Sequence, residues 1–192
     1  MKLILASNSP RRKELLSEII KDFSVEASTV DETNIRETDP EKFALIASEL
    51  KAKDVGDAHP EAIVIGADTV VVARGRIFGK PKDIKEAKVM LSELSGRAHE
   101  VMTAIALYNG ASGKMMTSSR TTNVKFKKLT AKDIEDYLHK VDVLDKAGAY
   151  AIQEYGEVLL ENIVGDRDNV IGLPKDMLMR MIGEFTRTLR NE

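Results

Sequence analysis

At 192 residues the chain can form one domain, or one domain with two lobes, around a substantial apolar core. It has no cysteine, which excludes disulfides, a thiol nucleophile and thiolate zinc sites, and suits a reducing compartment. A formal net charge of −2 argues against attachment to nucleic acid or membrane by global charge, so any phosphate binding requires a local cluster of cations.

Residues 3–6 form an apolar run that predicts a buried strand, far too short for a signal sequence or a membrane span; the chain reads as soluble and cytoplasmic. Ser9 is placed as an N-cap and Pro10 as the first residue of a helix with Leu15, Leu16, Ile19 and Ile20 on one face. Residues 23–27 alternate as a half-exposed strand would, and the acidic, aperiodic stretch 28–39 reads as a loop. Asp39 and Pro40 open a second helix striped by Phe43, Ile46, Ala47 and Leu50. The strongest β signal is 62–73, AIVIGADTVVVA, whose near-continuous apolar character predicts a central strand covered on both faces. Arg74-Gly75 turns into 76–78, and Asp83 with Glu86 resembles a capping box opening a helix that ends near Ser95-Gly96. Strands at 100–108 and 116–126 are joined through a hairpin signal at Asn109-Gly110. Thr130 caps a short helix to about Leu138, 148–163 has further β character, and Pro174 opens the last helix. Interspersed strands and helices make an α/β chain, and the hairpin makes its sheet mixed.

Several common catalytic solutions are absent: no Walker A sequence, GxGxxG, HExxH or GxSxG. The three histidines, His59, His99 and His139, are scattered, so a metal would be held by carboxylate oxygens, which favours magnesium or manganese. In Ser7-Asn8-Ser9-Pro10-Arg11-Arg12 two arginines sit at a helix start, where the dipole disfavours cations and attracts anions. A phosphate held between them and the helix explains that placement; a solvated basic first turn is the competing reading. Asp68, within the apolar run, is costly to bury unless a metal, a lysine or an open mouth offsets it. A turn between two strands, with Asp68 exposed, is its bland alternative. Lys80, between Gly79 and Pro81, reads as a phosphate contact or as a plain loop lysine. The neighbours Asp31 and Glu32 read as magnesium ligands or as a solvated acidic loop. Residues 166–169 lack the glycine and terminal glutamate of a calcium loop.

Taken together these fragments fall in one recognisable order. LILASNSPRRKELL, DE at 31–32, GADTVV at 66–71, GKP at 79–81, LSGRAHEVMTAIAL at 94–107, DKAGAYAIQ at 145–153 and NVIGLP at 169–174 resemble the Maf family, also described as septum formation inhibitor-like proteins. The resemblance runs from Leu3 to Pro174. It implies a single domain over 1–192 with a fold similar to inosine triphosphate pyrophosphatase: an elongated mixed sheet with two α/β lobes around a cleft, often as a homodimer. It implies hydrolysis of a nucleoside triphosphate to the monophosphate and pyrophosphate with magnesium or manganese. Carried over by position, Asp68 matches the general base. Arg11, Thr69 and Gln153 match the base-specificity positions, in the combination of the subgroup acting on dTTP and UTP. Ser9, Arg12, Glu32, Lys51 and Lys80 match residues lining the same pocket, and Glu32 and Asp68 would hold the metal. Two departures are Thr103-Ala104, where Thr-Gly is common, and Gln153-Glu154, where Gln-Gly is common and the added charge would bear on base preference. The alternatives are a pyrophosphatase for non-standard or 7-methyl purine triphosphates, and a non-enzymatic regulator of cell division.

Overall fold

The computed structural model describes residues 2–190. Its strands are β1 (Lys2–Leu5), β2 (Ser24–Val25), β3 (Ala62–Ala73), β4 (Arg76–Phe78), β5 (Ala98–Asn109), β6 (Lys114–Phe126) and β7 (Leu160–Val164). Its helices are α1 (Pro10–Ile19), α2 (Pro40–Ala58), α3 (Ile84–Leu94), α4 (Ala131–Lys140), α5 (Gly156–Leu159), α6 (Arg167–Ile171) and α7 (Lys175–Arg190). The strands join one sheet in the order β2-β1-β3-β5-β6-β7, with β4 paired to β3. β1 pairs in parallel with β2 and β3, while β3–β4 and β6–β7 are antiparallel, so the sheet is mixed.

The chain divides into two compact units. The first holds 1–68, 103–120 and 172–192; the second holds 69–102 and 121–171. In the first, Ile4, Ala52, Val55, Val64, Ala106 and Tyr108 are among the residues of one core. In the second, Val71, Phe78, Leu91, Val101, Phe126, Tyr137 and Leu159 pack together. Ile63 and Ile65 of β3 are fully buried, each contributing about 1.5–3 kcal/mol by removal from water.

Helix starts follow the local chemistry of the sequence. The side chains of Ser9, Asp39, Asp83 and Thr130 accept from the backbone N–H of Arg12, Lys42, Glu86 and Asp133. Only Thr130 with Asp133 forms the reciprocal box; Glu86 instead accepts from the backbone of Lys82 at 2.7 Å. Arg74 and Gly75 both take positive φ, 53° and 71°, as a hairpin turn of this length requires, and Ala73 pairs with Arg76.

Some elements differ from the sequence expectation. The strand expected over 23–27 shortens to Ser24–Val25, both exposed, and the loop 28–39 contains a 3-10 turn, Glu32–Asn34. The β5–β6 connection pivots on Gly113, at φ 66°. Gly110 serves close approach instead: a Cβ there would lie 2.4 Å from the Gly56 carbonyl oxygen. The β character expected over 148–163 is confined to β7. Gly148, Ala149 and Tyr155 take φ of 69°, 61° and 53°, a left-handed conformation no strand accommodates, and a 3-10 turn (Ala147–Ala149) and α5 form there.

Candidate active site

Gly66 sets the geometry of the first unit. A Cβ at this position would lie 2.1 Å from the Ser48 carbonyl oxygen and 2.7 Å from the Ala52 nitrogen. The backbone of α2 therefore lies directly against β3, as only glycine permits. Lys51, between those two helix residues, reaches Asp68 two residues further along the strand, with Nζ 2.7 Å from Oδ1. The same ammonium lies 2.5 Å from Glu32 Oε1. Of the three ways to offset a buried carboxylate at position 68, the structure uses the lysine. Asp68 lies inside continuous strand and is only 5 % exposed, so the reading of it as an exposed turn residue is ruled out.

The adjacent acids Asp31 and Glu32 separate in role. Asp31 Oδ1 accepts from the backbone N–H of Thr33 at 3.0 Å and from its hydroxyl at 2.7 Å, capping the short 3-10 turn. Glu32 is the first residue of that turn and points to Lys51.

Arg12 brings a second cation to these carboxylates. Its Nε donates to the Gly172 carbonyl at 3.0 Å and its Nη1 to Ser7 Oγ at 3.4 Å. It is thus held in place and is no solvated first-turn charge. Burial pulls its guanidinium below the ordinary arginine value, while Asp68 and then Glu32 act in the opposite direction. Half-buried Arg11 lies near enough for its charge to oppose that of Arg12. Ser9 is the N-cap beneath both. Burial pushes the Asp68 carboxyl above its ordinary range; Lys51 pulls it back most strongly, Glu32 adds to the rise, and Arg12 opposes it. Ser9, Arg11, Arg12, Glu32, Lys51 and Asp68 all belong to the first unit.

Thr69, Lys80 and Gln153 belong to the second unit. Thr69 is half-buried, while Lys80 and Gln153 are exposed. The Gly79 carbonyl accepts from the Gly148 N–H at 3.0 Å, which ties the lysine-bearing loop to the DKAGAYAIQ segment. Glu154, the unusual neighbour of Gln153, has a counter-ion: its Oε1 lies 3.6 Å from Nζ of Lys146, whose side chain is 5 % exposed. Lys146 also bonds Asp145 at 2.8 Å and the Asp142 carbonyl.

Two carboxylates converging on one cation form an oxygen donor pair suited to a small hard ion. Among the described residues no group of three or more His, Asp or Glu could hold a metal. A pair fits magnesium, which keeps several waters and takes further ligands from substrate phosphates. Lys51, which the family resemblance carries, reads from the residues alone as one more helix lysine; its use becomes visible only where α2 meets β3 at Gly66.

The chain matches the family described as Maf-like protein over residues 2–185. It is similar to proteins named dTTP/UTP pyrophosphatase from Akkermansia muciniphila, 44% identical with 94% of both chains covered, and from Pyrococcus furiosus, 43% identical with 94% of both covered. A protein of the same name from Thermosipho africanus is 48% identical over 91% of this chain and 88% of its own. The fold is similar to that of the Staphylococcus aureus Ham1 protein, with a TM-score of 0.53 at 18% identity, covering 96% of this chain and 99% of that one. That likeness agrees with the mixed α/β architecture expected from the sequence. With residues 2–185 matched and close relatives along nearly its whole length, the chain belongs to the Maf family.

Proposed function

We propose that the protein hydrolyses nucleoside triphosphates, dTTP and UTP foremost, to the monophosphate and pyrophosphate. The names of its relatives support the reaction and the substrates. The observation that carries the chemistry is the meeting of Glu32 and Asp68 on Lys51, with half-buried Arg12 acting on both carboxylates. Cleavage between the α and β phosphates needs a placed water, cations around the polyphosphate and a stable leaving group. Arg11 and Arg12 offer forked donors to phosphate oxygens, and Lys80, by its match to the family motif, a point charge. Asp68 holds the attacking water and accepts its proton; a carboxyl raised by burial is a better base for that task. Glu32 and Asp68 would bind magnesium or manganese, which supplies neutralisation of charge on the phosphate oxygens. Thr69 and Gln153 read the pyrimidine edge by hydrogen bonds, whose loss discriminates strongly against a mismatched base.

Among the described residues no helix is long and apolar enough to cross a membrane. The family resemblance supports a cytoplasmic location and a homodimer, and light scattering on the purified chain tests the second.

The deciding experiment is Asp68→Asn. Pyrophosphate release should fall by about a hundredfold or more, while nucleotide binding measured by equilibrium dialysis stays within a few-fold. Near-normal turnover would remove Asp68 from the chemistry. A rate panel over dTTP, UTP, ITP and 7-methyl-GTP, run with magnesium and with manganese, tests the substrate; a purine preference would overturn the assignment of Thr69 and Gln153.

A further inference from the structure

Asp54 lies on α2 three residues beyond Lys51. Its Oδ2 accepts from the backbone N–H of Thr29 at 2.7 Å and from the hydroxyl of Ser28 at 2.9 Å, and the Thr29 hydroxyl lies 3.2 Å away. These bonds, the Thr29 N–H first, hold its carboxyl below the ordinary range. The segment so held follows β2 and leads straight into the turn that carries Glu32. Its fixings come in sequence: Glu26 meets His59 at 2.7 Å, Asp54 takes residues 28 and 29, and Asp31 caps the turn.

We propose that Asp54 is a positioning residue for the metal-binding carboxylate: it tethers the 28–34 segment to α2 so that Glu32 stays opposite Asp68. This rests on the reading of Glu32 as a metal ligand. If Glu32 and Asp68 hold a divalent cation during turnover, that charge would compete with the Lys51 ammonium for the two carboxylates, so the Lys51–Glu32 pair would be a poor tether. Asp54 takes no part in that exchange. Its bonds go to a backbone N–H and two hydroxyls, and they persist when Lys51 changes partner. The helix that presents Lys51 to both carboxylates thereby also fixes where one of them stands.

The test compares wild type with Asp54→Ala and Asp54→Asn, the latter keeping one oxygen to accept from Ser28 and Thr29. Amide exchange over 28–34, measured without metal or nucleotide, should quicken in Asp54→Ala and be largely restored in Asp54→Asn. Manganese binding followed by electron paramagnetic resonance should weaken by about five- to tenfold in Asp54→Ala, the penalty for a site populated only part of the time. The magnesium needed for half-maximal turnover should rise similarly, with kcat at saturating magnesium within about twofold of wild type. Faster exchange with unchanged manganese affinity would overturn the proposal, as would a fall in kcat at unchanged metal dependence. A wild type inert toward every nucleotide would instead overturn the pyrophosphatase reading, while exchange and manganese binding still report on the tether.

Discussion

Replacing Lys51 by methionine removes the cation between two carboxylates and keeps the length of the side chain. The Lys51 and Asp68 side chains are 11% and 7% exposed, and that of Glu32 is 31% exposed. Breaking a buried pair from one side costs about 3–5 kcal/mol, because it leaves an uncompensated buried charge. Glu32 keeps part of its hydration and Arg12 remains beside both carboxylates, which places Lys51→Met near the lower end, about 3 kcal/mol. For a chain of this size that corresponds to a fall in Tm of about 6–12 °C. The pH dependence identifies the cause. Lys51 is the strongest influence pulling the Asp68 carboxyl down, so its loss raises an already elevated folded-state pKa further. A carboxyl that holds its proton more tightly when folded destabilises the fold once ionised, and the penalty fades as pH falls through the folded-state value. The gap between variant and wild type should therefore be wide at alkaline pH and narrow at acidic pH. Millimolar magnesium should stabilise the variant more than the wild type, since the metal no longer competes with an ammonium. The chain has no tryptophan, so thermal and urea unfolding are followed by far-UV circular dichroism. Equal losses at alkaline and acidic pH, with no added response to magnesium, would refute Lys51 as the counter-ion of this pair.

Gly66→Ala should cost about 3 kcal/mol, because the new methyl meets the helix backbone and no side chain can swing aside; it should also lower kcat by moving Lys51 away from Asp68, read by unfolding and steady-state rates. His99 supplies a separate acid sensitivity. It is buried with Nε2 2.8 Å from the Tyr150 hydroxyl, and burial lowers its pKa from 6.5 to about 4. The unfolded chain takes up this proton first as pH falls, so about 3 kcal/mol of stability should be lost between about pH 6.5 and pH 4. In His99→Gln that portion of the acid loss should vanish, as urea titrations across the range will show.

The parts of the fold legible in the sequence are those written in short-range chemistry. The apolar run of β3 announces a covered strand, and Ser9, Asp39, Asp83 and Thr130 announce helix starts, because a cap is decided within three residues. The stretch 148–163 departs from its β-like pattern because Ala149 and Tyr155 take left-handed φ, a conformation that residues of these types carry no local sign of. The site divides similarly. Asp68 stands out as a charge in an apolar run. Asp31 and Glu32 cannot be told apart until the 3-10 turn assigns one to capping and the other to Lys51. Lys51 and Asp54 are invisible to pattern reading, since their partners lie in other segments of the chain and nothing in an amphipathic helix marks which polar residue is used.

The close seating of α2 against β3 at Gly66 has one further consequence. Lys51 and Asp54 are fixed to one rigid rod, so the charge that faces Asp68 and the anchor that holds the Glu32 segment turn together if the rod turns. Changing how Glu32 and Asp68 stand toward each other is therefore a matter of moving a single helix, and reshaping the acidic loop alone would leave that helix setting both distances.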